Sequence, residues 1–170
     1  MSIRVLQFVS FKKLTQRSVT LAGVILLLAI GVVFVVEPLA DLILTHFSDH
    51  PWVLYQLEMS DIQNAVIGSL RGYRILIAVF VFAILPAICE ELVFRGILYG
   101  IFKDLMIYKQ LAMISSALVF AILHFQVLSV LPIFIVGYLL ALLYEKTNNL
   151  LPSMLVHFAF NGLQIVLWQA

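Results

Sequence analysis

Two adjacent glutamates, Glu90 and Glu91, interrupt the apolar run Pro86-Ala87-Ile88-Cys89-Glu90-Glu91-Leu92-Val93-Phe94-Arg95. A charge placed within an apolar, membrane-crossing helix costs at least about 2.5 kcal/mol unless it is partnered, so ionisable groups there are read first as a functional site. Two further polar pairs stand at helical spacing inside later apolar segments, Phe120 with His124 and His157 with Asn161. Two carboxylates, two imidazoles and an amide are sufficient to take a proton from water and to stabilise an oxyanion, the two requirements of peptide hydrolysis.

The spacing suggests how these groups divide the work. Glu91 and Arg95 are four apart in the favoured order for a helical ion pair, and an arginine at this depth must find an anion. That pair is read as structural. Glu90 points about 100° away from Glu91 around the helix and is free to face a cavity as general base. His124 can share the activated water or pass a proton to the leaving group. His157 and Asn161 project from one face and can both donate to a developing oxyanion. Glu90, His124 and His157 also match the two-histidine, one-carboxylate donor set of catalytic zinc, although the H-E-x-x-H helix of soluble zinc proteases is absent. The preferred reading requires no cofactor, with zinc as the alternative.

Each residue has a plainer reading. A lone buried histidine is usually a hydrogen-bonded packing residue, and Phe120 is expected to pack against the glutamate-bearing helix. A thiol in apolar surroundings is normally inert, which leaves Cys89 without a role. Pro86 removes a backbone bond, as a packing kink or as a break that admits water. Gly96, Gly100 and Gly137 suit close helix approach. His46 and His50 have metal-ligand spacing only if their segment is helical, and are not assigned to the site.

The elements that must position these groups follow from composition. The chain has 170 residues, 64% hydrophobic and 11% charged, with a mean hydropathy of +1.12, against roughly 25% charged in a soluble domain. These values specify an all-α, polytopic membrane helix bundle. A net charge of +1 offers nothing to a nucleic-acid partner, and the single cysteine excludes an internal disulfide. About five transmembrane helices are expected: Val19 to Leu39, Ile75 to Phe102, Leu111 to Phe125, Val127 to Tyr144 and Leu151 to Trp168, the last four forming a catalytic core. Residues 1–74 then comprise an amphipathic cytoplasmic segment (1–18), a retained anchor and an interfacial helix with loop from Asp41 to Arg74, and residues 75–170 the core. Basic residues place the N-terminus inside: Arg4, Lys12, Lys13, Arg17, Lys103, Lys109 and Lys146 against Arg71 and Arg74 outside. Counted at about 1.5 Å per residue from the cytoplasmic turns, Glu90 and Glu91 lie roughly 18–20 Å deep, His124 about 20 Å, His157 about 11 Å and Asn161 about 17 Å. Antiparallel packing can therefore gather them at one mid-membrane site.

Glu90-Glu91-x-x-x-Arg95-Gly96, Phe120-x-x-x-His124 and His157-x-x-x-Asn161, in this order on apolar helices, resemble the signature motifs of the CPBP family, the CAAX proteases and bacteriocin-processing enzymes also called Abi. Gly137-Tyr138 and Leu143-Tyr144-Glu145-Lys146-Thr147-Asn148-Asn149-Leu150 are similar to family members too, so that the resemblance runs from about Ile75 to the C-terminus. It implies a glutamate-type intramembrane endopeptidase of a prokaryotic cytoplasmic membrane. Glu90 and His124 would activate water, His157 and Asn161 would stabilise the oxyanion, and Glu91, Arg95 and Phe120 would support the site. The substrate would be a membrane-anchored protein or peptide, a sorting tail or bacteriocin precursor being expected ahead of a prenylated protein.

Two other classes fit parts of the pattern. Intramembrane Glu, His and Arg also build the proton relays of small transporters or channel subunits, but no transporter-like repeat is visible. A non-catalytic immunity or scaffold protein would keep the fold and lose motif residues, all of which stand here. A protease predicts peptide products abolished by Glu90→Gln; a carrier predicts coupled proton flux without them.

Overall fold

The computed structural model describes residues 10–126 and 128–167, and among them there are helices and turns but no strand. Six helices follow one another: α1 Gln16–His46, α2 Pro51–Gly68, α3 Tyr73–Leu105, α4 Lys109–Ile122, α5 Val130–Thr147 and α6 Leu150–Leu167. Four of them, α1, α3, α5 and α6, are long and apolar enough to cross a membrane. The chain is an integral membrane protein. The expected span at Leu111 to Phe125 is the shorter α4, whose 14 residues reach only about 21 Å against a hydrocarbon core of about 30 Å. It ends before His124, which lies in the turn that follows.

Local chemistry sets the ends. Thr15 caps α1 through a reciprocal box, its Oγ1 accepting from the Ser18 amide while Ser18 Oγ accepts from the Thr15 amide. The first span therefore begins at Gln16, and it continues past Leu39 to His46 with Pro38 inside it. Residues 10–15 are not helical; the remainder of the expected amphipathic segment, residues 1–9, lies outside the described residues, as do Val127 and Trp168 at two expected span boundaries. Where an interfacial helix and loop are expected, α2 runs from Pro51 and exposes Trp52, Tyr55, Met59 and Ile62. The chain turns between His46 and His50, so these two do not share a helical face. At the other end of the core, Asn148 adopts a left-handed conformation, φ 46°, where asparagine is tolerated, and lets α6 begin with only two residues separating it from α5.

α3 packs on α4 and α6, α4 on α5, and α1 on both α5 and α6. Ile25 and Ala29 of α1 share a core with Val136, Leu140, Leu143 and Val156, so the first span is part of the bundle. A second core joins Tyr99, Met113, Ala141, Tyr144, Leu150 and Met154. Polar contacts close the end of the bundle where α5 meets α6. Glu145 accepts from Tyr99 Oη at 2.8 Å and Lys103 at 2.7 Å, and pairs with Lys109 at 2.6 Å. The Asn149 side chain exchanges hydrogen bonds with the Lys12 backbone, and the Leu150 amide donates to Ser10.

α3 is not a uniform α-helix. It widens into π-helical turns at Phe80–Ile84 and Leu92–Leu98, on either side of an α-helical Leu85–Glu91. The first precedes Pro86, which has no N–H for the carbonyl four residues back, that of Phe82. The second begins directly after the two glutamates. Isolated π-turns of this kind recur at functional sites.

Candidate active site

The second π-turn carries Arg95, with 1% exposure, into the middle of the bundle beside Glu91, with 0%. Arg95 Nη1 donates to Glu91 Oε1 at 2.8 Å, and Nη2 donates to the Gly137 carbonyl of α5 at 2.9 Å. Its guanidinium also lies 4.6 Å from the centre of the Phe120 ring. The pairing read from the sequence is therefore present, together with a carbonyl that no pattern of side chains could indicate. Ser116 Oγ donates to the Phe94 carbonyl at 3.0 Å, attaching α4 to the same turn.

Glu91 Oε1 accepts a second hydrogen bond, from His157 Nδ1 of α6 at 2.9 Å. Glu91 thus holds two partners from two helices at one oxygen. Because Nδ1 of His157 carries the proton of this bond, Nε2 is the atom presented to the site. His124 is oriented by the same logic. Its Nδ1 donates to the Phe120 carbonyl at 2.7 Å, in place of its own backbone amide, which turns to Ala121 as the helix ends. A left-handed Phe125, φ 54°, then leads the chain away.

Both imidazoles therefore present Nε2 to one atom, Glu90 Oε2, at 3.8 Å from His124 and 3.7 Å from His157. These separations are too long for direct hydrogen bonds, and a water between Glu90 Oε2 and either imidazole nitrogen could bridge them. The Glu90 and His124 side chains are part-exposed, 30% and 28%, whereas His157 is buried at 5%; Glu90 Oε2, the atom that both imidazoles approach, is itself buried and has no hydrogen-bond partner among the described residues. The Phe120 ring packs beside both histidines, 4.4 Å from the His124 ring and 6.0 Å from His157, edge-on to Phe94 at 4.9 Å. Gly137 faces it. A Cβ there would come within 3.0 Å of Phe120 Cδ1 and 3.5 Å of the Ala117 backbone.

Asn161 stands one turn beyond His157 on α6, and its Nδ2 donates to the Phe82 carbonyl at 3.3 Å. The structure thus gathers Glu90, Glu91, Arg95, Phe120, His124 and His157 into one connected cluster, and joins Asn161 to the first π-turn of α3. Cys89 is exposed. Two imidazole nitrogens and a carboxylate are the donors of a catalytic zinc site, while among the described residues no group of three or more His, Cys, Asp or Glu is gathered in a form that holds a metal ion.

A family model described as type II CAAX prenyl endopeptidase Rce1-like matches residues 72–163, which spans α3 to α6 and every residue of the cluster. Among curated proteins, the uncharacterized protein YpbD of Bacillus subtilis (strain 168) is 35% identical over 83 residues, 46% of this chain and 39% of that protein. The match thus spans well under two thirds of that relative's length. No solved structure matches the chain significantly. With the family model covering more than half of its length, the chain belongs to the Rce1-like family of type II CAAX prenyl endopeptidases.

Proposed function

We propose that the chain is an intramembrane endopeptidase in which Glu90 activates water against a peptide carbonyl of a membrane-anchored substrate. The observation that supports this most directly is the convergence of two imidazole Nε2 atoms on Glu90 Oε2, each ring fixed through Nδ1. A water held by Glu90 and by the Nε2 lone pair of His124 gives its proton to the Glu90 carboxylate. The resulting hydroxide bonds to the carbonyl carbon, whose π electrons move onto oxygen. His157, in its imidazolium form, donates from Nε2 to that oxyanion, and the amide hydrogen of Asn161 not engaged with Phe82 is the second donor. Collapse of the intermediate breaks the C–N bond, and the leaving nitrogen takes the proton held by Glu90. Donors set toward an oxyanion are each worth roughly a hundredfold or more in rate.

Glu91, Arg95 and Phe120 hold the frame and take no part in bond making. Membership in the Rce1-like family favours a prenylated C-terminal tail as substrate; sorting tails and bacteriocin precursors are the other members of the same class, membrane-anchored proteins or peptides. The proposed reaction needs no metal. A zinc ion, if bound, would take Glu90, His124 and His157 as ligands and supply an activated water.

The test is cleavage of a library of prenylated and unprenylated membrane-tail peptides by the detergent-purified chain, with metal analysis and chelator controls. Loss of cleavage in both Glu90→Gln and His124→Ala, with chelator-insensitive wild-type activity, is the expected result. Activity tied to stoichiometric metal moves the same residues to ligand roles. Absence of peptide products together with substrate-coupled proton flux in vesicles overturns the proposal.

A further inference from the structure

The Phe82 carbonyl and Asn161 raise a question that the hydrolytic scheme leaves open: what holds the upper half of α3 at the angle that directs Glu90 to the histidines. In an unbroken α-helix the Phe82 carbonyl would accept from the amide of residue 86, and residue 86 is proline. The helix widens at Phe80–Ile84 instead, and the Asn161 amide of α6 donates to the Phe82 carbonyl at 3.3 Å. Glu90 stands one turn below Pro86 on the same α-helical stretch, Leu85–Glu91. Asn161 itself stands one turn from His157, which is bonded to Glu91. Two points on α6, four residues apart, are therefore tied to two points on α3 that flank Pro86 and precede the second π-turn.

We propose that Asn161 is a positioning residue whose amide substitutes for the missing residue-86 donor, fixing the first π-turn of α3 against α6 and thereby the projection of Glu90 into the site. The assignment rests on Glu90 as the reacting carboxylate, and it adds a function for Asn161 separate from the oxyanion. It explains why the asparagine and the proline stand together: the proline opens the helix, and the asparagine decides where it is held open. An amide is suited to this task because it donates to the carbonyl through one N–H and keeps a second N–H and its oxygen for the cavity.

The chain supplies its own reporter. Cys89, the single cysteine, is exposed on the surface of the bundle within a membrane-crossing helix and adjacent to Glu90, so its slow modification by the apolar, detergent-permeant N-ethylmaleimide, compared between variants, reads the local geometry of α3 independently of any cleavage. The experiment is a double-mutant cycle: wild type, Asn161→Ala, Pro86→Ala and the double variant, each purified in detergent and checked by size exclusion. Asn161→Ala is expected to change the labelling rate by more than about twofold and up to about tenfold, the range for one lost neutral hydrogen bond. In the Pro86→Ala background residue 86 regains its N–H, and the same substitution is expected to change labelling by less than about twofold. If Asn161→Ala alone fails to fold, recovery of a monodisperse protein in the double variant supports the proposal, and failure of both overturns it. An equal effect of Asn161→Ala in both backgrounds, or no effect in the native one, also overturns it. Wild type that labels as expected but cleaves no peptide would refute the proposed hydrolysis while leaving this cycle decisive for Asn161. On an active enzyme the cycle has a second readout: Pro86→Ala is expected to lessen the kcat loss caused by Asn161→Ala, and an uncoupled kcat loss assigns the residue to the oxyanion alone.

Discussion

Glu90 and Glu91, adjacent in sequence, are expected to fail in opposite ways when each is changed to glutamine. Glu91 is fully buried and its Oε1 holds both Arg95 and His157. Glutamine keeps an acceptor there but removes the charge, and leaves a guanidinium of 1% exposure without its anion. Breaking a buried ion pair from one side costs about 3 to 5 kcal/mol. For a chain of this size 1 kcal/mol moves the unfolding midpoint by about 2–4 °C, so Glu91→Gln is expected to lower Tm by at least about 6 °C. Glu90 is 30% exposed, and its nearest imidazole nitrogens stand at 3.7 and 3.8 Å, beyond hydrogen-bond distance. Glu90→Gln is expected to change stability by no more than about 0.5 kcal/mol, or about 2 °C, while abolishing cleavage. The assay is thermal unfolding of both variants in one detergent alongside peptide cleavage at a temperature where both are folded. Equal Tm losses, or full cleavage by Glu90→Gln, would refute the division of the pair into a structural and a reacting carboxylate.

Other perturbations test the frame around the pair. Gly137→Ala places a Cβ 3.0 Å from Phe120 Cδ1; because that ring lies between Arg95 and both histidines, a stability loss of about 1–2 kcal/mol in chemical or thermal unfolding is expected together with a reduced kcat. Phe120→Leu removes the ring that faces Arg95 and His124, and is expected to cost about 1–2 kcal/mol, whereas Phe120→Tyr should be destabilising only through its added hydroxyl in a buried site; both are read by Tm. Glu145→Gln weakens the junction of Tyr99, Lys103 and Lys109, none of which, among the described residues, hydrogen-bonds to or ion-pairs with Glu90 or His124, and is expected to lower Tm by a few degrees, about 1 kcal/mol, with kcat unchanged on the same peptide.

How much of this was legible beforehand depends on what each feature is made of. The residues of the cluster were legible because polar groups stand out against apolar helices, and the Glu91–Arg95 pair followed from a spacing of four. The depth estimate brought His124 and the glutamates to one level, and these groups do meet. The length of α4 was not legible: Leu123, His124 and Phe125 continue its apolar pattern, yet the helix ends before them because His124 turns its side chain to the Phe120 carbonyl and Phe125 adopts a left-handed conformation. Nor were the two π-turns, since a helix apolar on nearly all faces carries no periodicity against which a phase shift can register. Pro86 was the one available signal. Backbone acceptors such as the carbonyls of Gly137 and Phe82 are absent from any side-chain pattern, because every residue has one.

The π-turn after the glutamates answers a problem set by their adjacency. Consecutive residues of a helix diverge by about 100°, so Glu90 and Glu91 cannot both face the same neighbour. Were both directed to the cavity, Arg95 would lose its anion; were both directed toward Arg95, no carboxylate would face the Nε2 atoms of His124 and His157. The structure uses the divergence. Glu91 faces α6 and the buried arginine, and Glu90 faces the gap between the His124 turn and α6. The arginine must then reach α5 as well, and the wider turn at Leu92–Leu98 carries it far enough to meet the Gly137 carbonyl, at the one position where α5 has no side chain to obstruct Phe120. A single histidine, His157, joins the two carboxylates, with Nδ1 on Glu91 and Nε2 toward Glu90. In the proposed reaction the buried ion pair would act through the tautomer and orientation of that ring, and replacing Arg95 and Glu91 together by apolar residues of similar volume is expected to retain more stability than replacing either alone while still losing cleavage. A double variant that unfolds as readily as Arg95→Met, or that cleaves as wild type does, would show that the pair supports the site in some other way.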